Sequence, residues 1–259
     1  MIDEMDLDAV LICGPPELHA EAAPVALAGG CHVWVEVPAA PDADEAQSIA
    51  TMAEERGKIA QAGLNARFAP VYRRMQKIVS TEEADERDFG ELRSIEVVWW
   101  PPKTHGHDDP VRFDLIHALD MVRHLGGEVE DLSVVRGRDR TVLAIALELR
   151  SGAVATISFA APAACPRERV AMASLQATVM ATERREVMLR SAEREDTRYW
   201  WYDASRAEEG QAPWDPAGYI AQLQHFADAV TGEAAPEATL ADAAAAMRLA
   251  ERIAADKGS

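Results

Sequence analysis

Little cysteine, no long apolar run and a shortage of positive charge narrow what this chain does before any motif is read. Cys13, Cys31 and Cys165 are odd in number and form no CxxC pair, which argues against a disulfide framework or a zinc knuckle. No apolar segment approaches the ~20 residues that span a bilayer. The opening "MIDEMDLD" is acidic and lacks the basic and apolar parts of a secretory signal. These absences lead to the expectation of a reduced, cytoplasmic protein. Lys and Arg number 26 against 44 Asp and Glu, a formal net charge of −18. No basic cluster offsets that field, so neither nucleic acid nor an anionic membrane is an expected partner. A GxGxxG loop is also absent from the 259 residues.

What is present is an ordinary globular composition, 48% apolar, in a chain long enough for one large or two modest domains. Residues 8–13 form a short apolar run typical of a parallel strand buried on both faces, broken by Gly14-Pro15-Pro16. A helix follows over 17–27 and ends at Gly29-Gly30. Strand 31–37, helix 41–57 and strand 58–63 continue a β-α-β-α-β alternation, which implies a parallel sheet with crossover helices. After Asn65 the pattern changes. Helix 70–80, strand 92–100 and helix 111–127 precede strands at 132–136, 141–149, 153–160, 168–181, 186–191 and 197–203, and two helices close the chain. The fold class expected is α/β followed by α+β. A half Rossmann sheet spans residues 1–64, and an open, mainly antiparallel sheet domain for substrate binding and oligomerisation spans 65–259.

Four spaced segments resemble one family. "DAVLICGPPELHAEAAPVALAGGCHVWVEVP", "NARFAP", "IHALDMVRHLGGEVEDL" and "GYIAQLQHFADAV", in that order, are similar to the Gfo/Idh/MocA oxidoreductases, from about residue 7 to the C-terminus. The resemblance implies a dinucleotide-binding domain followed by a domain whose open sheet binds substrate and often builds the oligomer. It equates Asp8–Cys13 with the fourth strand of a Rossmann sheet, and the strands and Gly-rich loop that would precede it have no counterpart here. A further departure is Glu36-Val37-Pro38, where the family usually has Glu-Lys-Pro with a lysine near nicotinamide and substrate. Valine carries no proton. Together the two departures give the expectation of a cofactor-independent protein with no nicotinamide bound, NAD or NADP being the alternative.

His117 and Asp120 lie three apart on one helical face, and a histidine held by a carboxylate shuttles protons near neutral pH. The resemblance assigns them to the family's catalytic H-x-x-D pair; the plain alternative is an ordinary, hydrogen-bonded helix histidine. Asp114 is a weaker transfer to the same site. Lys103 is offered as a replacement for the charge lost at Val37. Pro15, Pro16, His19, Glu36 and Pro38 fall on family positions lining the nicotinamide side of the cleft and are expected as a remnant pocket, or as turn and loop structure only. Asn65, Arg67, Trp100, His105 and His107 are the substrate candidates. Arg67 is open between an anionic substrate group and a salt bridge. "KTHGHDDP" (103–110) holds metal-capable ligand types, yet a solvated loop beside a pocket is the simpler reading and no metal is expected. One tryptophan of Trp99-Trp100 and one of Trp200-Trp201 should face the core.

The leading expectation is therefore His/Asp acid–base chemistry on a small polar or sugar-like metabolite: dehydration, isomerisation or cyclisation. Two alternatives stand beside it. One is an NAD(P)-dependent oxidoreductase whose nucleotide-binding half is missing or supplied in trans. The other is an inactive partner of a full-length homologue. A homodimer or higher homo-oligomer is expected, and the apolar free edge of strand 8–13 is expected to be covered by a second copy of the chain or by another segment of this one.

Overall fold

The computed structural model describes residues 7–80, 89–102, 109–138, 141–191, 197–201 and 215–256. The chain divides into two compact units that are discontinuous in sequence. The first comprises Met1–Asn65, Val111–Asp120 and Tyr219–Ala255; the second comprises Ala66–Pro110, Met121–Gly218 and Asp256–Ser259.

In the first unit, β1 (Ala9–Ile12), β2 (His32–Val35) and β3 (Ala60–Ala62) form a parallel sheet in the order β1-β2-β3. Its crossover helices are α1 (Pro16–Ala28) and α2 (Ala43–Glu55). Asp42 caps α2 through its side chain, which accepts from the Glu45 N–H at 2.8 Å. Two further helices of this unit are α6 (Tyr219–Thr231) and α7 (Leu240–Ala255). Helices α2 and α7 pack together, and both bury small residues, Ala43, Ala46, Ala50 and Ala53 in α2 and Ala243, Ala246 and Ala250 in α7. Such side chains let the helices approach closely. Glu251 of α7 accepts the Ala43 N–H at 2.7 Å, and Arg248 pairs with Asp44 at 2.8 Å.

In the second unit the chain forms α3 (Pro70–Val79) and an eight-stranded mixed sheet. Its strands are β4 (Ser94–Trp100), β5 (Val129–Arg136), β6 (Val142–Leu149), β7 (Val154–Ala160), β8 (Arg167–Ala173), β9 (Ala177–Thr182), β10 (Glu186–Ser191) and β11 (Thr197–Trp201). The order is β11-β10-β9-β8-β4-β7-β6-β5, antiparallel throughout except for the parallel β4–β7 pair. Ile95, Val97, Trp99, Ile145, Leu147, Ile157, Phe159, Val170 and Val179 fill its core face, and Val71, Tyr72, Met75 and Ile78 bury one side of α3. The Tyr72 hydroxyl donates to Glu168 at 2.5 Å, and Arg184 pairs with the same carboxylate at 2.6 Å. Burial first, and the Glu168 charge second, push the Tyr72 phenol well above its usual range.

The expected α/β and α+β architecture is present, with three differences. The expected single strand 168–181 is two strands, β8 and β9, joined by a turn at 174–176. Ser174 Oγ accepts the Gln176 and Ala177 N–H groups at 3.0 Å, so a hydroxyl closes the hairpin where Gly or Asn would be the visible signal. The expected helix 111–127 is broken into α4 (Pro110–Phe113) and α5 (Leu115–Gly126), with Asp114 in the turn between them. Strand β1 is not buried on both faces, since Leu11 is 53% exposed. The final glycine of α5 packs closely on the sheet: a Cβ on Gly126 would stand 2.6 Å from both Ile95 Cδ1 and Leu149 Cδ1, which would have to shift. Trp99 faces the core, as alternation requires, and Trp201 is exposed. Among the described residues no helix is long and apolar enough to cross a membrane.

Candidate active site

The carboxyl ends of β1, β2 and β3 bring three short turns together. Ligands of open parallel sheets bind at this end of the strands. After β1 come Cys13, Gly14 and Pro15; after β2, Glu36, Val37 and Pro38; after β3, Gly63. The Glu36 N–H donates to Ile12 O at 3.1 Å, and the Gly63 N–H to Val35 O at 2.8 Å, so each turn is fastened to the preceding strand.

Pro15 is the N-cap of α1 with extended geometry, φ −72° and ψ 156°. Pro16 follows at the first helical position, where a missing N–H costs nothing. The Leu18 and His19 N–H groups donate to Pro15 O at 3.0 and 3.3 Å. This helix start therefore offers few N–H donors, and Glu17 places a negative charge in its first turn. A diphosphate needs the opposite, several free N–H groups at an uncompensated positive helix end. The exposed residue here is the apolar Pro15, with Pro16 buried behind it.

His19 is 1% exposed, and its Nδ1 lies 2.9 Å from Pro38 O. Nδ1 carries the proton in that contact, leaving Nε2 bare and without a partner among the described residues. Burial pushes the His19 pKa down; the bond to Pro38 O and the Glu17 charge oppose it. His19 thus ties α1 to the turn after β2, where the Val37–Pro38 peptide is cis. Glu36 accepts the Val37 N–H at 3.3 Å. Its Oε2 would stand 2.6 Å from a Cβ on Gly63, so only glycine leaves room for that carboxylate. The Cys13 thiol is raised by burial and then by the Glu36 charge, which places Cys13 and Glu36 in one electrostatic neighbourhood.

His117 and Asp120 belong to the same compact unit as these turns, His117 half-buried and Asp120 1% exposed. Arg112 Nη2 donates to Pro41 O at 2.5 Å, which tethers the segment leading into α5 to the loop after β2. Asp114, in the α4–α5 turn, lies one turn ahead of His117 rather than inside its helix. Asn65 closes the same unit in the 3-10 turn Asn65–Phe68 and is buried; Arg67 of that turn is buried and belongs to the second unit. Trp100 is also in the second unit. Its indole N–H donates to Ser158 Oγ at 3.3 Å, and the Arg167 guanidinium lies 5.4 Å from its ring centroid. Lys103, His105 and His107 lie outside the described residues. Among the described residues no group of three His, Cys, Asp or Glu side chains is placed to hold a metal ion.

Gly63 and Arg112 escaped sequence reasoning. A glycine just after a strand reads as an ordinary turn, and nothing in "PVRF" announces a tether to a loop some seventy residues away. As for a nicotinamide dinucleotide, exposed Pro15 offers an apolar contact and half-buried Glu36 an acceptor for its nicotinamide end, while Pro16 and Pro38 are buried behind them. No cradle for its diphosphate is found among the described residues.

Residues 1–64 match a family model described as "Oxidoreductase family, NAD-binding Rossmann fold". The chain is 27% identical over 165 residues to 4-carboxy-2-hydroxymuconate-6-semialdehyde dehydrogenase of Sphingobium sp. (strain NBRC 103272 / SYK-6), covering 59% of this chain and 52% of that protein. It is 30% identical over 160 residues to UDP-N-acetylglucosamine 3-dehydrogenase of Acidithiobacillus ferrooxidans, covering 59% and 48%. The chain thus spans about half the length of these curated relatives. A dehydrogenase from Chromobacterium violaceum shares the fold, with a TM-score of 0.84 at 23% identity over 99% of this chain and 78% of that one.

Proposed function

Residues 1–64 place the chain in the Gfo/Idh/MocA oxidoreductase family, and from that premise we propose that it serves oxidation or reduction at a hydroxyl-bearing carbon of a polar, sugar-like metabolite. The observation that carries this reading is the convergence of the Pro15–Pro16, Glu36–Pro38 and Gly63 turns at the carboxyl edge of the parallel sheet, in one unit with His117 and Asp120. The family model describes an NAD-binding fold, and one relative is a nucleotide-sugar dehydrogenase.

In this reading a bound nicotinamide dinucleotide supplies the hydride acceptor or donor. Exposed Pro15, backed by the buried Pro16 and Pro38, would hold the nicotinamide end against apolar surface, and Glu36, beside Gly63, would accept a hydrogen bond from it. His117 takes up or returns the proton of the substrate hydroxyl. Asp120, buried three residues further on, positions His117 and stabilises its charged form.

A second reading is favoured by Val37, which removes the lysine that the family resemblance leads one to expect beside the reacting carbon. On that reading the same His117–Asp120 pair works without hydride transfer, in dehydration, isomerisation or cyclisation. The test is turnover of UDP-sugars, inositols and aldoses by wild-type and His117→Asn protein, with and without NAD+ or NADP+. The proposal expects turnover only with dinucleotide, reduced at least ~100-fold in His117→Asn, the usual worth of a general acid–base group. Turnover that ignores added dinucleotide would establish the second reading instead.

A further inference from the structure

We propose that the outer face of β9, β10 and β11 is an interface with a second copy of this chain, packed face to face across a two-fold axis that runs along the row Met180, Met188, Tyr199. The proposal stands apart from the catalytic reading. Within the second unit α3 packs on β9 and β10, and Val179, Val187 and Leu189 are buried on that side. The alternate residues of these strands point the other way. Strand pairing sets them in rows. Glu186 lies opposite Trp201; Met188 lies between Met180 and Tyr199; Arg190 lies opposite Thr197. None of these is buried, and Tyr199 and Trp201 are 55% and 70% exposed.

Charge identifies the occupant. Glu186 and Arg190 stand on either side of Met188 on one strand, and neither has an ion-pair partner among the described residues. Four residues of strand separate them by ~13 Å, too far to pair with each other. A half-turn about the Met180–Met188–Tyr199 row reverses the strand direction and keeps the strand order. Glu186 then lies over the partner's Arg190, and Arg190 over the partner's Glu186, while Met188 and Tyr199 meet their own symmetry mates. The patch is thus isologous and electrostatically self-complementary. A small apolar ligand on Tyr199 and Trp201 leaves both charges unpaired, whereas a second copy supplies each with its opposite.

Residue types and area agree with this. Methionine, aromatic residues and arginine are enriched where proteins meet. The middle row continues across the sheet through Ala171, Glu96, Thr156 and Ala146. Three of these are small, which lets two faces approach, and the Glu96 charge is offset by its ion pair with Arg169. Eight strands ~4.8 Å apart and ~7 residues long present a face on the order of 800 Å², about what one partner contributes to a stable interface.

Sedimentation equilibrium on the 259-residue chain tests this with wild-type, Glu186→Arg, Arg190→Glu and doubly reversed protein. The expected wild-type species is a dimer of 28.2 kDa subunits. Each single reversal sets like charges over one another at both ends of the patch and weakens the dimer at least ~10-fold; the double reversal restores opposite charges and with them the dimer. A variant that merely damages the fold is not rescued by a second one. Met188→Cys in a Cys13→Ser, Cys165→Ser background supplies the second measurement. Packed sheets stand ~10 Å apart, so a short bis-maleimide joins the two copies of this residue into a covalent dimer. A monomer at every concentration overturns the proposal. So does a dimer that both single reversals leave intact, a loss that the double reversal fails to repair, or a Met188→Cys protein that does not cross-link.

Discussion

A carboxylate and a missing Cβ decide the geometry of the candidate site. Glu36 occupies the space beside Gly63 that any side chain would claim, with 3.3 Å between the added Cβ and Glu36 Cα. Gly63→Ala therefore moves the Glu36 carboxylate from its place and presses on the backbone behind it. We expect a loss of ~1–3 kcal/mol in a denaturant melt, the range for overpacking, together with weakened ligand binding. His19 carries a pH signature. Its folded pKa lies below the ordinary histidine value, so the unfolded chain binds the proton more readily. Its stabilising contribution is complete above the unfolded pKa of ~6.5 and is lost as pH falls below it. A melt from pH 7 down to pH 5 should lose stability more steeply in wild type than in His19→Asn, where the amide donates to Pro38 O without titrating. An equal slope in both proteins would place the pH response elsewhere, for example at His32, whose pKa burial also lowers.

At the scale of elements, strands and helices with clear periodicity were legible in the sequence. The β-α-β-α-β run was read from short apolar strands separated by amphipathic or alanine-rich helices, because burial on a parallel sheet leaves that trace. Two features left no trace. The hairpin at Ser174 depends on one hydroxyl taking two N–H groups, and serine is common in many other settings. The break at Asp114 interrupts a helical pattern whose apolar spacing continues on both sides. The contact between Arg112 and Pro41 O joins segments remote in sequence, so only the fold brings it to light. Arg112→Ala removes this charged donor, and we expect about 1 kcal/mol of lost stability by chemical denaturation. If the tether also sets the position of the His117 segment, turnover falls by more than stability explains, with kcat affected rather than KM.

For the whole molecule, the family resemblance pointed to the fold that the structure has, while the composition gave only an expectation about partners and named no substrate. The compact units cut across the sequence division at residue 64. Residues 111–120 and 219–255 join the parallel sheet, which is how His117 comes to share a unit with the Pro15 and Glu36 turns. No local pattern encodes such an assignment, since it depends on which core each helix completes. Binding of nicotinamide dinucleotide to that unit tests the account most directly. Titration of the chain with NADH and NADPH, followed by quenching of tryptophan emission and by calorimetry, should show saturable binding of at least one, weakened in Glu36→Ala and in Gly63→Ala. Absence of binding by both, or binding indifferent to Glu36 and Gly63, would contradict it.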